Sequence, residues 1–347
     1  MHMADALLSP AVGATMLAGS MAAIGYSSKK LKENIDNRTV PLMGVLGAFI
    51  FAAMMINFTI PGTGSSGHLG GGLILTILLG PYAAFLVISS VLVVQAFFFA
   101  DGGLLALGCN IFNLGFFPAF IAYPFIYRMI ARDEYGTLRA WIAAIVAAAA
   151  GLQLGAFGVV LETKASGISE LPFSAFVLLM QPIHLAIGIV EGLATAAVVT
   201  FVARARPEAL FPGQAAMESR NSMWPVLIGL LIATAIAGGA ASWFASTHPD
   251  GLEWSIAKVS GKEKVSGTED SLHKGLGQLQ EKTAFLPDYG FKSTETEAAP
   301  AENTAAEPEQ WPAISAGTSV SGIVGGLITL GLAGLIGFAL KARRAGV

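Results

Sequence analysis

The chain has 347 residues, 54% of them hydrophobic and 12% charged, with a net charge of −3 and a mean hydropathy of +0.65. A charged share about half the ~25% of ordinary soluble domains excludes a soluble enzyme and a disordered scaffold, and the lack of a basic footprint excludes a nucleic-acid binder. The single cysteine, Cys109, excludes a disulfide framework and thiolate metal clusters. The composition is that of an all-α, polytopic membrane protein whose chemistry lies in its few polar residues.

A spanning helix needs about 20 mostly apolar residues. Candidate spans fall at 10–28, 40–58, 69–80, 82–100, 108–131, 139–161, 174–203, 224–245 and 317–340. The third is short and opens on Gly70-Gly71-Gly72, as a broken segment covered by protein would. The opening MHMADALLSP has no basic region, so no cleaved signal is expected. With the N-terminus outside, the inner connections hold 13 of the 20 basic residues and the short outer ones only Lys164. This asymmetry predicts an extracytoplasmic N-terminus and a cytoplasmic C-terminus.

Residues 1–203 read as a seven-span core and 204–223 as a cytoplasmic connection. Residues 224–347 read as a two-span appendage flanking an outer loop, 246–316. That loop carries six lysines and twelve acidic residues and includes STETEAAPAENTAAEPEQ (293–310), which reads as a solvated linker. No internal repeat is visible, which weighs against inverted-repeat secondary transporters.

The opening Met1-His2 carries a metal-chelating pattern. A free Met1 amine and the His2 amide nitrogen close a five-membered ring on one cation; the amide and the His2 imidazole close a six-membered ring. Three nearly coplanar nitrogens suit Ni(II) or Cu(II) better than tetrahedral Zn(II). The fourth corner needs a neutral donor on the outer side. His68, in the glycine-rich stretch Pro61–Gly72, stands in the first outer loop. Asp5, Ser65, Ser66, Asp101, Asn110 and Asn113 are candidates to support these ligands by hydrogen bonds.

Gln95, Gln153, His184 and Glu191 lie at membrane depth, the last two on one helix face. His184 and Glu191 read first as an internal hydrogen bond or ion pair that fixes helix packing, and second as a proton or ion relay. Met3, Met16 and Met21 read as packing, Cys109 as a small buried hydrophobe, and His248 and His273 as solvated loop residues. The chain holds no G-x-x-x-x-G-K-[ST], G-x-S-x-G or H-E-x-x-H, so it has neither a phosphate-cradling loop nor a hydrolase motif, and no catalytic residue is assigned.

Four stretches, Met1–Pro10, Thr63–Leu69, Leu107–Asn113 and His184–Gly192, resemble the substrate-binding M components of energy-coupling-factor transporters for nickel and cobalt, in the nickel branch. The resemblance covers 1–203. Residues 224–340, with Pro249-Asp250-Gly251-Leu252-Glu253-Trp254, look like the small N component, here fused. Cys109 stands where other members often carry a small residue such as Ala. The resemblance implies a square-planar Ni(II) site from the Met1 amine, the His2 amide and imidazole, and His68. It implies Ni(II), with Co(II) as a second cargo, and no organic cofactor. It also implies a plasma-membrane location in the lipid bilayer, with a transmembrane coupling (T/Q) subunit and cytoplasmic ABC-type ATPases as partners. A stand-alone secondary permease for Ni, Co or Cu and a non-transporting metal sensor or assembly factor are the alternative readings.

Overall fold

The computed structural model describes residues 2–132, 134–169, 171–205, 223–261, 270–292 and 311–345. Its core elements are α1 (Pro10–Asn34), α2 (Thr39–Met54), a short antiparallel pair β1 (Phe58–Ile60) and β2 (Ser65–Gly67), α3 (Gly72–Leu79), α4 (Pro81–Phe99), α5 (Leu107–Ala131), α6 (Leu138–Ser166) and α7 (Phe173–Ala205). The appendage adds α8 (Trp224–Gly239), α9 (Gly251–Ser260), α10 (Ser271–Thr283) and α11 (Ala316–Ala345). Among the described residues, five helices, α4–α7 and α11, are long and apolar enough to cross a membrane; α2 and α8 are shorter apolar helices.

Each expected span contains a helix. The third is only eight residues long, and α3 is buried over Gly72–Ile77, as its glycine-rich start predicts. Much of α5 runs in the wider π register, over Phe112–Tyr127, with Pro118 and Pro124 inside. Neither proline has an N–H to continue an α-helical ladder, and the wider turn accommodates the loss.

Polar residues at membrane depth tie helices to one another. Gln153 Nε2 on α6 donates to the Gln181 carbonyl on α7 at 2.6 Å, and Gln181 Nε2 returns the bond at 3.3 Å. Asn113 Nδ2 donates to Glu162 at 2.8 Å, joining α5 to α6. The appendage packs its two long helices on the core: α11 lies against α2, and α8 against both. The crossing of α8 and α11 is made at Gly238 and Gly322, where an added methyl on either would run into the other's backbone.

The linker reading fails for the described part of 246–316. Residues 251–260 and 271–283 are helices, each started by an aspartate cap. Asp250 accepts from the Leu252 and Glu253 amides at 2.8 Å, and Glu253 returns a bond to the Asp250 amide, a complete capping box. The stretch 293–310 and residues 206–222 lie outside the described residues.

Candidate metal centre

Residues 2–8 are threaded into the bundle. Met3, Leu7 and Leu8 are buried in the hydrophobic core. The Met3 amide donates to Asn110 Oδ1 at 2.8 Å, while the Met3 carbonyl accepts from Asn110 Nδ2 and from the Gly103 amide at 2.9 Å. Asp5 Oδ1 accepts from the Ala106 amide at 3.0 Å. Gly103 permits this approach, because a methyl there would overlap the Asp5 carboxylate and amide. Gly102, at φ +84°, turns the chain beside His2 with a geometry that side chains disfavour.

This threading sets His2 against His68. Their rings stack with centroids 5.0 Å apart and planes within 15°. His68 Nδ1 bonds to the Leu69 carbonyl at 3.0 Å. That bond needs the proton on Nδ1 and so places the ring's lone pair on Nε2, the form a metal ligand requires. His2 Nδ1 lies 3.2 Å from Asp101 Oδ1, and its Nε2 is buried without a hydrogen-bond partner. Burial drives both imidazoles down to a pKa of about 3, so both rings are neutral at ordinary pH. Burial also raises the Asp101 carboxyl, with a hydrogen bond from Tyr289 pulling the other way.

The two rings line a cavity of about 730 Å³, together with Asp5, Asp101, Asp250 and Tyr289. Among the described residues no three His, Cys, Asp or Glu side chains converge as a metal cage. Met1 lies outside the described residues.

The other sequence-derived candidates divide. Asn110 holds the backbone next to His2. Ser66 donates to the His248 carbonyl at 2.7 Å and its amide bonds Pro249 at 2.8 Å, so it joins the His68 loop to the appendage. Ser65 bonds Thr63, and Asn113 bonds Glu162; neither is brought to the imidazoles. Glu191 accepts from the Gly70 amide at 2.6 Å and so pins the glycine loop two residues after His68. His184 Nδ1 bonds the Met180 carbonyl at 2.8 Å on its own helix, so His184 and Glu191 have separate partners.

Sequence reasoning missed the contribution of the appendage. His273, expected to be solvated, reaches the Asp5 and Leu8 carbonyls with Nε2 at 3.2 and 3.0 Å. Its Nδ1 pairs with Asp270 at 2.8 Å. Gln280 Nε2 donates to the Ala96 and Gly102 carbonyls at 2.9 and 2.7 Å. The Tyr289 hydroxyl donates to Asp101 Oδ2 at 2.5 Å and accepts from Gln95 Nε2 at 3.2 Å. The signal was present: Asp250…Glu253 spells a capping box, and Leu272, Leu276 and Leu279 follow helical spacing after Asp270.

Residues 2–209 match the family model described as cobalt uptake substrate-specific transmembrane region, CbiM, and residues 224–342 match the PDGLE domain. The chain belongs to the CbiM family. A relative in Archaeoglobus fulgidus, named for a fused nickel transport protein NikMN, is 32% identical over 98% of both chains. The fused nickel transport protein NikMN of Rhodobacter capsulatus is 33% identical, over 83% of this chain and 88% of its own. A crystal structure of a transition metal transporter superposes with a TM-score of 0.54 at 29% identity, covering 62% of this chain and 98% of the other. This CbiM-family chain is therefore a membrane component of nickel or cobalt transport, with a PDGLE appendage fused to it.

Proposed function

We propose that this chain is the Ni(II)-binding, substrate-specificity component of an ATP-driven uptake transporter. A coupling subunit in the membrane and separate ABC-type ATPases would drive it, since the chain itself has no phosphate-binding loop. Ni(II) enters from the extracytoplasmic side, where the N-terminus lies. It is held in a flat field by the Met1 amine, the His2 amide nitrogen, the His2 imidazole and the His68 imidazole. Co(II) is the second candidate cargo.

The observation that carries this reading is the seating of residues 2–8 in the bundle, with Met3, Leu7 and Leu8 buried, which stacks His2 on His68 in one cavity. The names of the fused relatives support nickel as the cargo. The neutral state of both rings supports their use as ligands, because protonated imidazole has no lone pair to give. The secondary-permease reading relies on His184 and Glu191 as a relay, and their separate backbone partners lend it no support.

The test is Ni(II) titration of the purified chain. His2→Ala and His68→Ala should each abolish stoichiometric binding. One residue added before Met1, confirmed unprocessed by mass spectrometry, should be nearly as damaging, because it moves the amine out of chelating position. Wild-type affinity in the extended protein would remove the amine from the site. Uptake in cells that lack the coupling and ATPase subunits would overturn the ATP-driven reading.

A further inference from the structure

A chelate through the His2 amide and imidazole has six ring members only if the imidazole binds through Nδ1. In the structure that atom faces Asp101 Oδ1 at 3.2 Å. Asp101 therefore stands against the nitrogen that the cation takes. On chelation the imidazole stays neutral, its proton passing from Nδ1 to Nε2. A divalent cation with one deprotonated amide and three neutral nitrogens carries a net charge of +1. In a site that buries both imidazoles, such a charge is costly without a nearby anion.

The placement of Asp101 depends on the appendage. Its second oxygen receives the Tyr289 hydroxyl at 2.5 Å, and Gln95 donates to the same hydroxyl. The Tyr289 ring stacks on Phe99 at 5.2 Å and meets Phe51 edge-on. Its backbone, like that of Asp288, adopts a left-handed conformation, φ 59° and 49°, which non-glycine residues disfavour. Gln280 holds the Ala96 and Gly102 carbonyls on either side of Asp101. A strained turn, an aromatic socket and a strap on the neighbouring backbone all converge on one hydroxyl–carboxylate bond.

We propose that Asp101 is a counter-charge of the metal site, beside Asp250 in the same cavity, and that Tyr289 is its positioning residue, so that the appendage contributes directly to cation affinity. This inference rests on the nickel site proposed above. Tyr289→Phe removes only the hydroxyl and keeps the ring packing. It should weaken Ni(II) binding by about 10- to 100-fold, the usual effect of losing a partner of a metal-site group, and leave the visible absorption of bound Ni(II) unchanged. Asp101→Asn should cost at least as much, and Asp101→Glu, which keeps the charge, should retain most of the affinity. In the double variant Tyr289→Phe/Asp101→Asn, the loss should be no larger than in Asp101→Asn alone, because the hydroxyl acts through the carboxylate.

All four proteins are titrated with Ni(II) as full-length chains, beside His2→Ala. Wild-type affinity in Tyr289→Phe or in Asp101→Asn, or additive losses in the double variant, overturns the proposal. Retained binding in His2→Ala instead overturns the nickel site itself. If Tyr289→Phe yields no folded protein, the contrast of Asp101→Asn with Asp101→Glu decides: equal affinities refute the counter-charge.

Discussion

Most polar residues at membrane depth and those around the His2–His68 cavity have different partners; Gln95, on the Tyr289 hydroxyl, and Glu191, on the Gly70 amide, reach from the first group to the second. Within the bundle, Gln153 and Gln181 bond each other's backbones, His184 bonds Met180, and Asn113 pairs with Glu162. These bonds close within or between neighbouring helices and hold them in register. Near the N-terminal segment, bonds run between segments far apart in sequence: Asn110 to Met3, Ser66 to His248, Tyr289 to Asp101, His273 to Leu8. They converge on one cavity. Membrane depth alone therefore does not bring polar groups to one place in this chain; convergence of distant segments does.

Several changes sharpen that contrast. The largest effect belongs to the proposed ligands, and the loss of Ni(II) binding expected in His2→Ala and His68→Ala is its first measure. Next comes Gly103→Ala. Its methyl would displace Asp5 and the threaded N-terminal segment, and Ni(II) affinity should fall by more than tenfold while the helical circular dichroism is kept. Affinity unchanged by this substitution would separate the threading from the site.

The pH profile comes third. Burial keeps both imidazoles neutral down to about pH 3, so chelation in the proposed site would release only the amine and amide protons. Between pH 5 and 7, below the ordinary amine pKa of about 8, log affinity should fall by about two for each unit of acidification. A slope near four would mean that the rings are protonated before binding. Stability should follow the same sign. The unfolded rings gain protons below about pH 6.5 and the folded ones only near pH 3, so the unliganded protein should lose thermal stability as pH drops between these values.

The smallest effect is expected inside the bundle. Gln153→Ala breaks one interhelical bond, worth about 1 kcal/mol. It should lower the melting temperature slightly and leave Ni(II) affinity within twofold. A large loss of affinity there would erase the distinction between the two regions.

Much of this was legible in the sequence. Apolar runs located the helices because spanning segments must satisfy their own backbone bonds, and Gly70-Gly71-Gly72 marked the short, buried third one. Met1-His2 and His68 stood out because a chelating pattern is a local property of covalent geometry. The appendage was misread because 246–316 is as charged as a linker, and composition does not register a capping box at Asp250 or the leucine spacing from Leu272 to Leu279. Tyr289 and Gln280 carried no signal of their own, since their roles come only from contacts nearly 200 residues away in sequence.

X-ray absorption at the nickel edge of the loaded, full-length protein with a verified free Met1 tests the central claim most directly. A square-planar first shell of four nitrogens, two of them from imidazoles, is the predicted result. Six oxygen-rich ligands in octahedral array, or a single imidazole, would contradict it.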